Sequence, residues 1–500
     1  MPVRRKLLVA NRGEIAVRIL RAAREIGWTG VAVYSEADRG SLHVRMADEA
    51  YPIGPAPPAQ SYLNAAAVLE AARRADARFI HPGYGFLAEN AGFARAVEEA
   101  GFIFVGPSPD AVAAMGDKIE ARRFAAAAGV PVTPGTGRLP PEARRALPEA
   151  HRLGYPVLVK AAFGGGGRGM RLCRDDRDVV AAVETAGSEA RRAFGDGTLY
   201  MEKWIESPRH VEVQILADPR GEVLHLGERE CSIQRRHQKL IEETPSPAVE
   251  PALRRRMTEA AVELCRAIRY RGVGTVEYLL DRDGSFTFLE MNTRLQVEHP
   301  VTEMVHGLDL VKAQLVVAQG KRLPWRQEEI VPRGHSIEVR VCAEDPVRGF
   351  APQAGRLRHV RLPAGPGIRN DMGVACDSEI PVAYDSLMGK VISWGIDREE
   401  ARIRLLRGIE ETILDGVVTN LPFHRWALSH PRFVRGDIST KFIEEEFEPE
   451  ALEGRGDLAA LAVAAALAAR EERFVSGSPA RAPQAGPSPW SLAGRPGRGR

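Results

Sequence analysis

The sequence predicts an α/β protein of three domains followed by a short C-terminal segment. Strand-like runs alternate with helical patterns over residues 1–115. Within 116–334, a strand pattern that ends in lysine precedes four glycines. A third unit, at 335–445, begins with a strand of alternating polarity at 336–343. Strands alternating with helices predict a doubly wound parallel sheet. Five hundred residues are too many for one hydrophobic core. Residues 446–500 contain one Ala-rich helical pattern, at 458–474, and end in a Pro-, Gly-, Ser- and Arg-rich tail that predicts disorder.

Composition excludes several classes of protein. Hydrophobic residues make up 44% and charged residues 27%, as in ordinary globular enzymes, and a net charge of +3 with interspersed signs does not indicate a nucleic-acid-binding face. The five cysteines form no CxxC pair, which argues against a zinc ribbon or a disulfide framework and predicts a reducing, cytoplasmic location. The first ten residues have only a short apolar run and no 18-residue apolar span follows, so neither secretion nor membrane insertion is expected.

The first domain is predicted to contain strands at 7–10, 31–34, 79–81 and 102–105 and helices at 13–26 and 62–73. The loop after its first strand, residues 11–14, is not GxGxxG, which weighs against a dinucleotide-dependent dehydrogenase. The Pro/Gly-rich segment 81–86 is equally consistent with a rigid turn and with a segment that lines a site.

The second domain begins with a candidate phosphate-binding segment. An apolar strand at 155–160 ends in Lys160, and four consecutive glycines follow at 164–167. A glycine run allows backbone N–H groups to approach phosphate oxygens closely. A flexible linker is the alternative, but linkers seldom follow directly on a buried strand that ends in lysine. We therefore predict a phosphate-covering flap on a mobile lid at about 131–204; it is not a Walker A loop, because GxxxxGK[ST] is absent.

A pair of carboxylates is predicted farther along the same domain. Asp283 and Gly284 are a two-residue hairpin signal, and such a turn places Glu277 directly opposite Glu290. Facing carboxylates destabilise a hairpin unless one is protonated or a cation bridges them. Two carboxylates completed by phosphate oxygens are a usual Mg²⁺ site. The alternative is a solvent-facing hairpin with tolerated repulsion, and the apolar neighbours of the pair favour the metal site.

Polar side chains continue along the strand that follows the hairpin. Strand alternation places one polar set on a common face: Glu290, Asn292, Arg294, Gln296 and Glu298. An edge strand with a wet face is the alternative. A second polar cluster, at 231–239, concentrates cations and amides and would by itself be typical of a solvated face. Only nine of the 69 basic residues are lysines, so each lysine is a candidate for a position that requires a compact ammonium. Four of the nine fall in these motifs: Lys118, Lys160, Lys203 and Lys239.

Together these strings resemble biotin carboxylase, of the ATP-grasp superfamily, over residues 3–445. The matching segments are 10–16, 81–87, 115–118, 164–170, 234–239, 290–300 and 384–386. The resemblance implies an N-terminal doubly wound pre-ATP-grasp domain (1–115), an ATP-grasp domain with a glycine-rich lid (116–334) and a biotin carboxylase C-terminal domain (335–445). Ala162 and Phe163 precede the glycines, as in pyruvate-type and other acyl-CoA carboxylases rather than bacterial acetyl-CoA carboxylase subunits, so the final carboxyl acceptor stays open.

The resemblance also implies roles for individual residues. Nucleotide contacts are expected from Lys118, Lys160, Gly165, Gly166, Gly167, Met170, His210, Gln234 and His237, with Glu202, Lys203 and Ile205 in the strand that receives adenine. Mg²⁺ or Mn²⁺ is expected on Glu277, Glu290 and Asn292. Bicarbonate is expected against Lys239, Arg294, Gln296 and Val297, with Glu298 as the base and Arg340 stabilising the biotin enolate.

The implied reaction is the ATP- and bicarbonate-dependent carboxylation of biotin through carboxyphosphate. The chain contains no Met-Lys-Met, so biotin is expected on a separate carrier protein or domain, with a carboxyltransferase partner and a homodimeric assembly. Two alternatives remain at this point: another ATP-grasp ligase, of the carbamoyl-phosphate-forming or purine-pathway type, and an inactive nucleotide-binding scaffold. The inactive scaffold is disfavoured because the charged residues that the reaction would need are all present: Glu277, Glu290, Arg294, Glu298 and Arg340.

Overall fold

The computed structural model describes residues 5–163 and 170–452, apart from the side chains of residues 193–194. The predicted flap with Gly165, Gly166 and Gly167, the predicted helix at 458–474 and the C-terminal tail lie outside the described residues. Among the residues described, no helix is long and apolar enough to cross a membrane.

The N-terminal region forms the predicted parallel sheet, in the order β3-β2-β1-β4-β5. Its strands are β1 Lys6–Val9, β2 Thr29–Ser35, β3 Glu49–Gly54, β4 Phe79–His81 and β5 Ile103–Phe104. Its helices are α1 Gly13–Glu25, α2 Leu42–Met46, α3 Ala65–Arg74, α4 Ala91–Glu99 and α5 Pro109–Gly116. Leu7 and Val9 pack with Ile15 of α1, whereas Leu8 packs with Val68 of α3, so both faces of the sheet are covered. The doubly wound prediction is confirmed.

One strand of this sheet was not predicted. The strand β3 contains Pro52, which cannot donate to a sheet, and its pattern is not strongly apolar. Proline is tolerated there because β3 lies at the edge and pairs only with β2.

The next segment forms a small antiparallel sheet of its own. Helices α7 Leu147–Leu153 and α8 Asp176–Phe194 accompany it, whereas α6 Lys118–Ala127, which precedes it in the chain, packs with Phe288 in a separate hydrophobic core. Its strands, in the order β7-β6-β8, are β6 Val157–Ala161, β7 Arg171–Cys173 and β8 Leu199–Lys203. Val157, Val159 and Met201 pack against Val179 of α8 and bury one face of the sheet. Lys160 is consequently fixed near the end of a rigid central strand.

Eight of the remaining strands in the described part of the chain build an antiparallel sheet around which the candidate site is assembled, and the other six form three two-stranded sheets. It begins with β9 Arg209–Ala217, β10 Val223–Arg235, β11 Gln238–Thr244, β12 Gly272–Leu280 and β13 Phe286–Asn292, with α9 Pro251–Ala267, α10 His299–His306 and α11 Leu310–Ala318 alongside. Strands after residue 334 are β14 His335–Cys342, β15 Glu344–Asp345, β16 Ala351–Pro352, β17 Gly355–Arg356, β18 His359–Arg361, β19 Ile368–Met372, β20 Glu379–Ile380, β21 Leu387–Gly395 and β22 Ile413–Asp415. They are accompanied by α12 Arg398–Glu411, α13 Leu421–Ser429, α14 Pro431–Val434 and α15 Phe442–Glu446.

This sheet runs across the boundary predicted at residue 335. Its order is β13-β12-β9-β10-β11-β14-β21-β19, and β11 pairs with β14 through Ile241 and Val339. Side chains from both sides of that boundary therefore share one face of one sheet.

The hairpin of β12 and β13 has the predicted carboxylate pair but not the predicted turn. Glu277 lies directly opposite Glu290. The connection is longer than the two residues predicted, because Leu280 pairs with Phe286 and the amide of Asp281 donates to the carbonyl of Ser285 at 2.8 Å. Tyr278 pairs with Phe288, so Leu289 is an extra, bulged residue. The bulge offsets the longer turn and restores the predicted register beyond it.

The predicted strand at 290–298 is also shorter than expected. Strand β13 ends at Asn292, and residues 293–298 form an irregular loop that leads into α10. Strand alternation therefore explains the common face of Glu290 and Asn292. The packing of the loop positions the other three predicted side chains: Arg294, Gln296 and Glu298.

Candidate active site

The candidate site is centred on a buried carboxylate held by two cations. Glu298 is fully buried, and its Oε1 accepts a hydrogen bond from Nζ of Lys239 at 2.7 Å. Its Oε2 accepts one from Nη2 of Arg340 at 2.9 Å. Lys239 lies on β11, Arg340 lies on the adjacent β14, and Glu298 ends the loop before α10. Three segments that are distant in sequence thus converge on one carboxylate.

The predicted carboxylate pair lies beside this centre. Glu277 Oε1 accepts hydrogen bonds from Lys239 at 2.7 Å, Asn292 at 2.8 Å and Gln296 at 3.0 Å. Nε2 of His210 lies 3.0 Å from its other oxygen. Glu290 pairs with Lys118 at 2.6 Å instead. A different cation neutralises each carboxylate, which explains how the two can face each other within a buried hairpin.

Another ion pair lies within the small sheet. Nζ of Lys160 donates to Glu202 at 2.8 Å, and the same carboxylate accepts from Arg122. Lys160 and Glu202 lie on the paired strands β6 and β8, where Leu158 is opposite Glu202. Both ionic groups are almost completely buried. Such burial is costly unless the charges are paired, so this pair is expected to change partners only when another charged group enters.

The electrostatics of Glu298 are dominated by its two cations. Burial alone would raise the pKa of Glu298, but the charges of Lys239 and Arg340 outweigh burial and hold it well below its usual range. Burial would likewise lower the pKa of Lys239, but Glu212, Glu277 and Glu298 raise it well above its usual range. At neutral pH the site therefore holds a carboxylate and an ammonium. An anion that shared these cations would raise the pKa of Glu298.

Arg294 is held beside this centre by groups on three segments. Its Nη2 donates to Asn292 at 2.9 Å and its Nη1 to Gln296 at 3.1 Å. Its Nε donates to Glu89 at 2.9 Å, and Glu89 also accepts from the backbone N–H of Thr293 at 3.1 Å. The guanidinium is thus oriented before any substrate binds.

Sequence reasoning missed three carboxylates at the site. Glu89 follows the segment 81–87 on a loop, and its pattern gives no sign of a partner more than 200 residues away. Glu212 contacts Lys239 and Arg229, and the alternation of His210, Glu212 and Gln214 on β9 could have indicated it. Glu242 accepts from Arg340 at 2.6 Å. Burial together with the charge of Glu298 outweighs Arg340 and raises the pKa of Glu242 to about 7.

Several predicted residues lie at the margin of this cluster. Lys203 donates to the carbonyls of Gly154 and Tyr155, at 2.8 and 3.1 Å, so its ammonium supports the small sheet. Gln234 is half-buried and pairs with Lys239 across the hairpin of β10 and β11. His237 is exposed in the turn of that hairpin with a φ of 64°. The other two marginal residues, Met170 and Ile205, are half-buried.

The arrangement combines buried cations, a facing pair of carboxylates and a third, fully buried carboxylate with its own cations. Family models match in the same order: "Biotin carboxylase, N-terminal domain" at residues 3–112, "Carbamoyl-phosphate synthase L chain, ATP binding domain" at 117–326 and "Biotin carboxylase C-terminal domain" at 338–445. These matches cover most of the chain.

Individual proteins are similar over the same region. The chain is 51% identical over 440 residues to the biotin carboxylase of Nostoc sp., covering 88% of this chain and 98% of the relative. It is also 51% identical over 440 residues to a pyruvate carboxylase subunit of Methanothermobacter thermautotrophicus, covering 88% of this chain and 89% of the relative. A crystal structure of the biotin carboxylase domain dimer of Hydrogenobacter thermophilus 2-oxoglutarate carboxylase, with MgADP, ADP and bicarbonate, superposes with a TM-score of 0.87 at 45% identity, covering 90% of this chain and 98% of that one.

Fold, site and matches define the chain as an ATP-grasp ligase. It belongs to the biotin carboxylase family.

Proposed function

We propose that this chain uses ATP and bicarbonate to carboxylate biotin on a separate carrier, the first half-reaction of a biotin-dependent carboxylase. The observation that carries the proposal is the Glu298 carboxylate held between Lys239 and Arg340, next to the facing pair Glu277 and Glu290. We assign the position beside Glu298 to an anion and the position beside Glu277 and Glu290 to a metal and phosphates. Bicarbonate activation and phosphoryl transfer require these two positions side by side.

ATP is proposed to bind between the small sheet and the eight-stranded sheet. Lys118 and Lys160, now paired with Glu290 and Glu202, would turn to the phosphates, since phosphoryl transfer requires cations around the transferred group. The strand β8 and the second residue after it would receive adenine, through Glu202, Lys203 and Ile205. The remaining contacts proposed for the nucleotide are Gly165, Gly166, Gly167, Met170, His210, Gln234 and His237.

The residues Glu277, Glu290 and Asn292 fit a divalent cation. They offer two carboxylates and one amide, all oxygen donors of the kind that Mg²⁺ and Mn²⁺ prefer. The ammonium groups of Lys118 and Lys239 now pair with Glu290 and Glu277, so these carboxylates already require positive charge beside them. A metal held there would neutralise charge on the phosphates. We assign these three residues as its ligands.

Bicarbonate is proposed to lie against Lys239, Arg294, Gln296 and Val297, with Glu298 taking its proton. A bicarbonate oxygen then forms a bond to the γ-phosphorus of ATP while the bond to ADP breaks, which gives carboxyphosphate. Cleavage of the carboxyphosphate C–O bond releases CO₂ and phosphate, and the ureido nitrogen of biotin forms a C–N bond to CO₂. Arg340 would stabilise the negative charge that develops on the ureido oxygen as the nitrogen gives its proton to the released phosphate.

The proposed partners follow from this half-reaction. A biotin carboxyl carrier protein or domain would present biotin, and a carboxyltransferase subunit would use the product. We propose an acyl-CoA or an oxo acid such as pyruvate as the final acceptor; two of the similar proteins are named for an oxo acid, pyruvate in one and 2-oxoglutarate in the other. A homodimer is proposed, as in the crystallised dimer from Hydrogenobacter thermophilus. The five cysteines are free thiols, which supports the expected reducing cytoplasm.

The test is ATP hydrolysis by the purified chain with Mg²⁺, measured with and without bicarbonate and free biotin. Hydrolysis that requires bicarbonate and is stimulated by biotin is the expected result. Bicarbonate-dependent hydrolysis stimulated by ammonia but not by biotin would indicate a carbamoyl-phosphate-type ligase. ATP binding without turnover under any of these conditions would indicate a scaffold.

A further inference from the structure

Lys390 is a completely buried lysine that the proposed reaction does not use. It lies on β21 directly opposite Arg340 on β14, with an exposed fraction of 0%. Residues opposite each other on antiparallel strands project from the same face of the sheet. Two cations therefore stand side by side beneath the loop 293–298, and Arg340 contacts the Glu298 carboxylate.

The ammonium of Lys390 contacts the backbone of that loop. Its Nζ donates to the carbonyl of Val297 at 2.6 Å. This carbonyl belongs to the peptide that joins Val297 to Glu298. Arg340 thus holds the side chain of Glu298, and Lys390 holds the peptide that carries it.

The same ammonium is bonded to the N-terminal region. Nζ of Lys390 lies 3.1 Å from Oε1 of Glu14, which is buried in the first turn of α1 and also accepts from the hydroxyl of Tyr84. A Cβ added to Gly373, at the end of β19, would lie 2.4 Å from the Glu14 backbone nitrogen, so the two regions are in tight backbone contact there. The segments 11–14 and 81–86 therefore meet at the Glu14 carboxylate, which this ammonium contacts.

We propose that Lys390 is a positioning residue: it anchors the Val297–Glu298 peptide to the N-terminal region and so holds the Glu298 carboxylate against Lys239 and Arg340. One ammonium thus links the loop 293–298 to helix α1, through the Val297 carbonyl and the Glu14 carboxylate. The residue type supports the same conclusion, because basic positions in this chain are mostly arginine and this one is among only nine lysines. A point-like ammonium fits a slot between one carbonyl and one carboxylate, whereas a planar fork would not.

The experiment compares Lys390→Met, the double variant Glu14→Gln/Lys390→Met and the control Lys312→Met, whose ammonium is half-exposed and pairs with Glu25. Turnover is measured as biotin-stimulated, bicarbonate-dependent ATP hydrolysis per nucleotide-binding site. Because a displacement of about 1 Å can cost about 100-fold in rate, Lys390→Met should lose about that factor in kcat while its affinity for a non-hydrolysable ATP analogue stays at the wild-type value. Lys312→Met should be unchanged.

The double variant separates positioning from charge compensation. Lys390→Met leaves the Glu14 carboxylate buried without its cation and is expected to lower stability; Glu14→Gln removes that carboxylate, so the double variant should regain stability but remain slow. Turnover restored in the double variant, or wild-type turnover in Lys390→Met, would overturn the assignment. The inference rests on the proposed role of Glu298. If Glu298→Gln is inactive and the double variant is fully active, only the Lys390 assignment fails; if Glu298→Gln is fully active, the proposed function itself fails.

Discussion

The backbone N–H of Gly83 donates to Nδ1 of His81 at 3.0 Å. The other ring nitrogen lies 3.2 Å from the side-chain oxygen of Gln314, so Nε2 carries the proton and the buried ring is neutral. Burial, aided by the charge of Arg18, outweighs the bond to Gln314 and lowers the pKa of His81 to about 4. The segment 81–86 is therefore built around a histidine that cannot be protonated without breaking its bond to Gly83.

This relationship predicts acid sensitivity. The unfolded chain binds a proton on this histidine near pH 6.5 and the folded chain only near pH 4, so stability is lost as pH falls through that interval. His81 contributes about 3 kcal/mol to that loss. His81→Gln should lose less unfolding free energy than wild type between pH 7 and pH 4 in urea denaturation. Some acid sensitivity should remain, because burial also lowers the pKa of His43 and His424 to about 4. Equal losses in variant and wild type would contradict the prediction.

Glu298→Gln should bind ATP normally and lose turnover. The amide is nearly isosteric with the carboxylate but cannot take a proton, and loss of a well-placed general base costs about 10²–10⁴ in rate. The measurement is bicarbonate-dependent ATP hydrolysis together with ATP affinity by calorimetry. Glu98→Gln, which removes an exposed carboxylate paired with Arg271, is the control and should behave like wild type.

Glu277→Gln should destabilise the protein before any metal is added. From sequence, two facing carboxylates predict repulsion that a neutral residue would relieve; in the structure Glu277 instead compensates Lys239 and accepts from Asn292 and Gln296. Charge-assisted hydrogen bonds contribute about 1.5–3 kcal/mol, and a cost of about that size is expected in urea denaturation without Mg²⁺. Added MgATP should stabilise the variant less than wild type, because ligand affinity falls. A variant as stable as wild type would contradict this prediction and would support net repulsion between Glu277 and Glu290.

Glu89→Gln should weaken bicarbonate binding without affecting ATP. The carboxylate holds Nε of Arg294 and the amide of Thr293, and the substitution removes the charged partner of the guanidinium. A hydrogen bond to a charged group contributes at least about 1.5 kcal/mol. Losing that much binding free energy raises the KM for bicarbonate about tenfold. Steady-state kinetics with bicarbonate varied at saturating MgATP measure this, and an unchanged KM would remove Glu89 from the site.

Local patterns determined much of the site in advance. The period of two in a strand places Glu290 and Asn292 on one face, and the hairpin signal pairs Glu277 with Glu290 even though the predicted turn is wrong. The pairing is nevertheless correct because the bulge at Leu289 offsets the longer turn, so two local features cancel. Neither feature could be identified from sequence, since bulges depend on how a strand twists against its neighbours.

The sequence by itself determined the α/β class, the doubly wound N-terminal sheet and the polar residue types at the centre, because these follow from hydrophobic periodicity and from motifs within one segment. Only the tertiary structure decided which charges meet. Glu89 reaches Arg294, Glu242 reaches Arg340 and Lys390 reaches the Val297 carbonyl across roughly 90 to 200 residues of chain. Such contacts are set by the packing of whole sheets and helices, and a buried charge tolerates only the partner that packing brings to it.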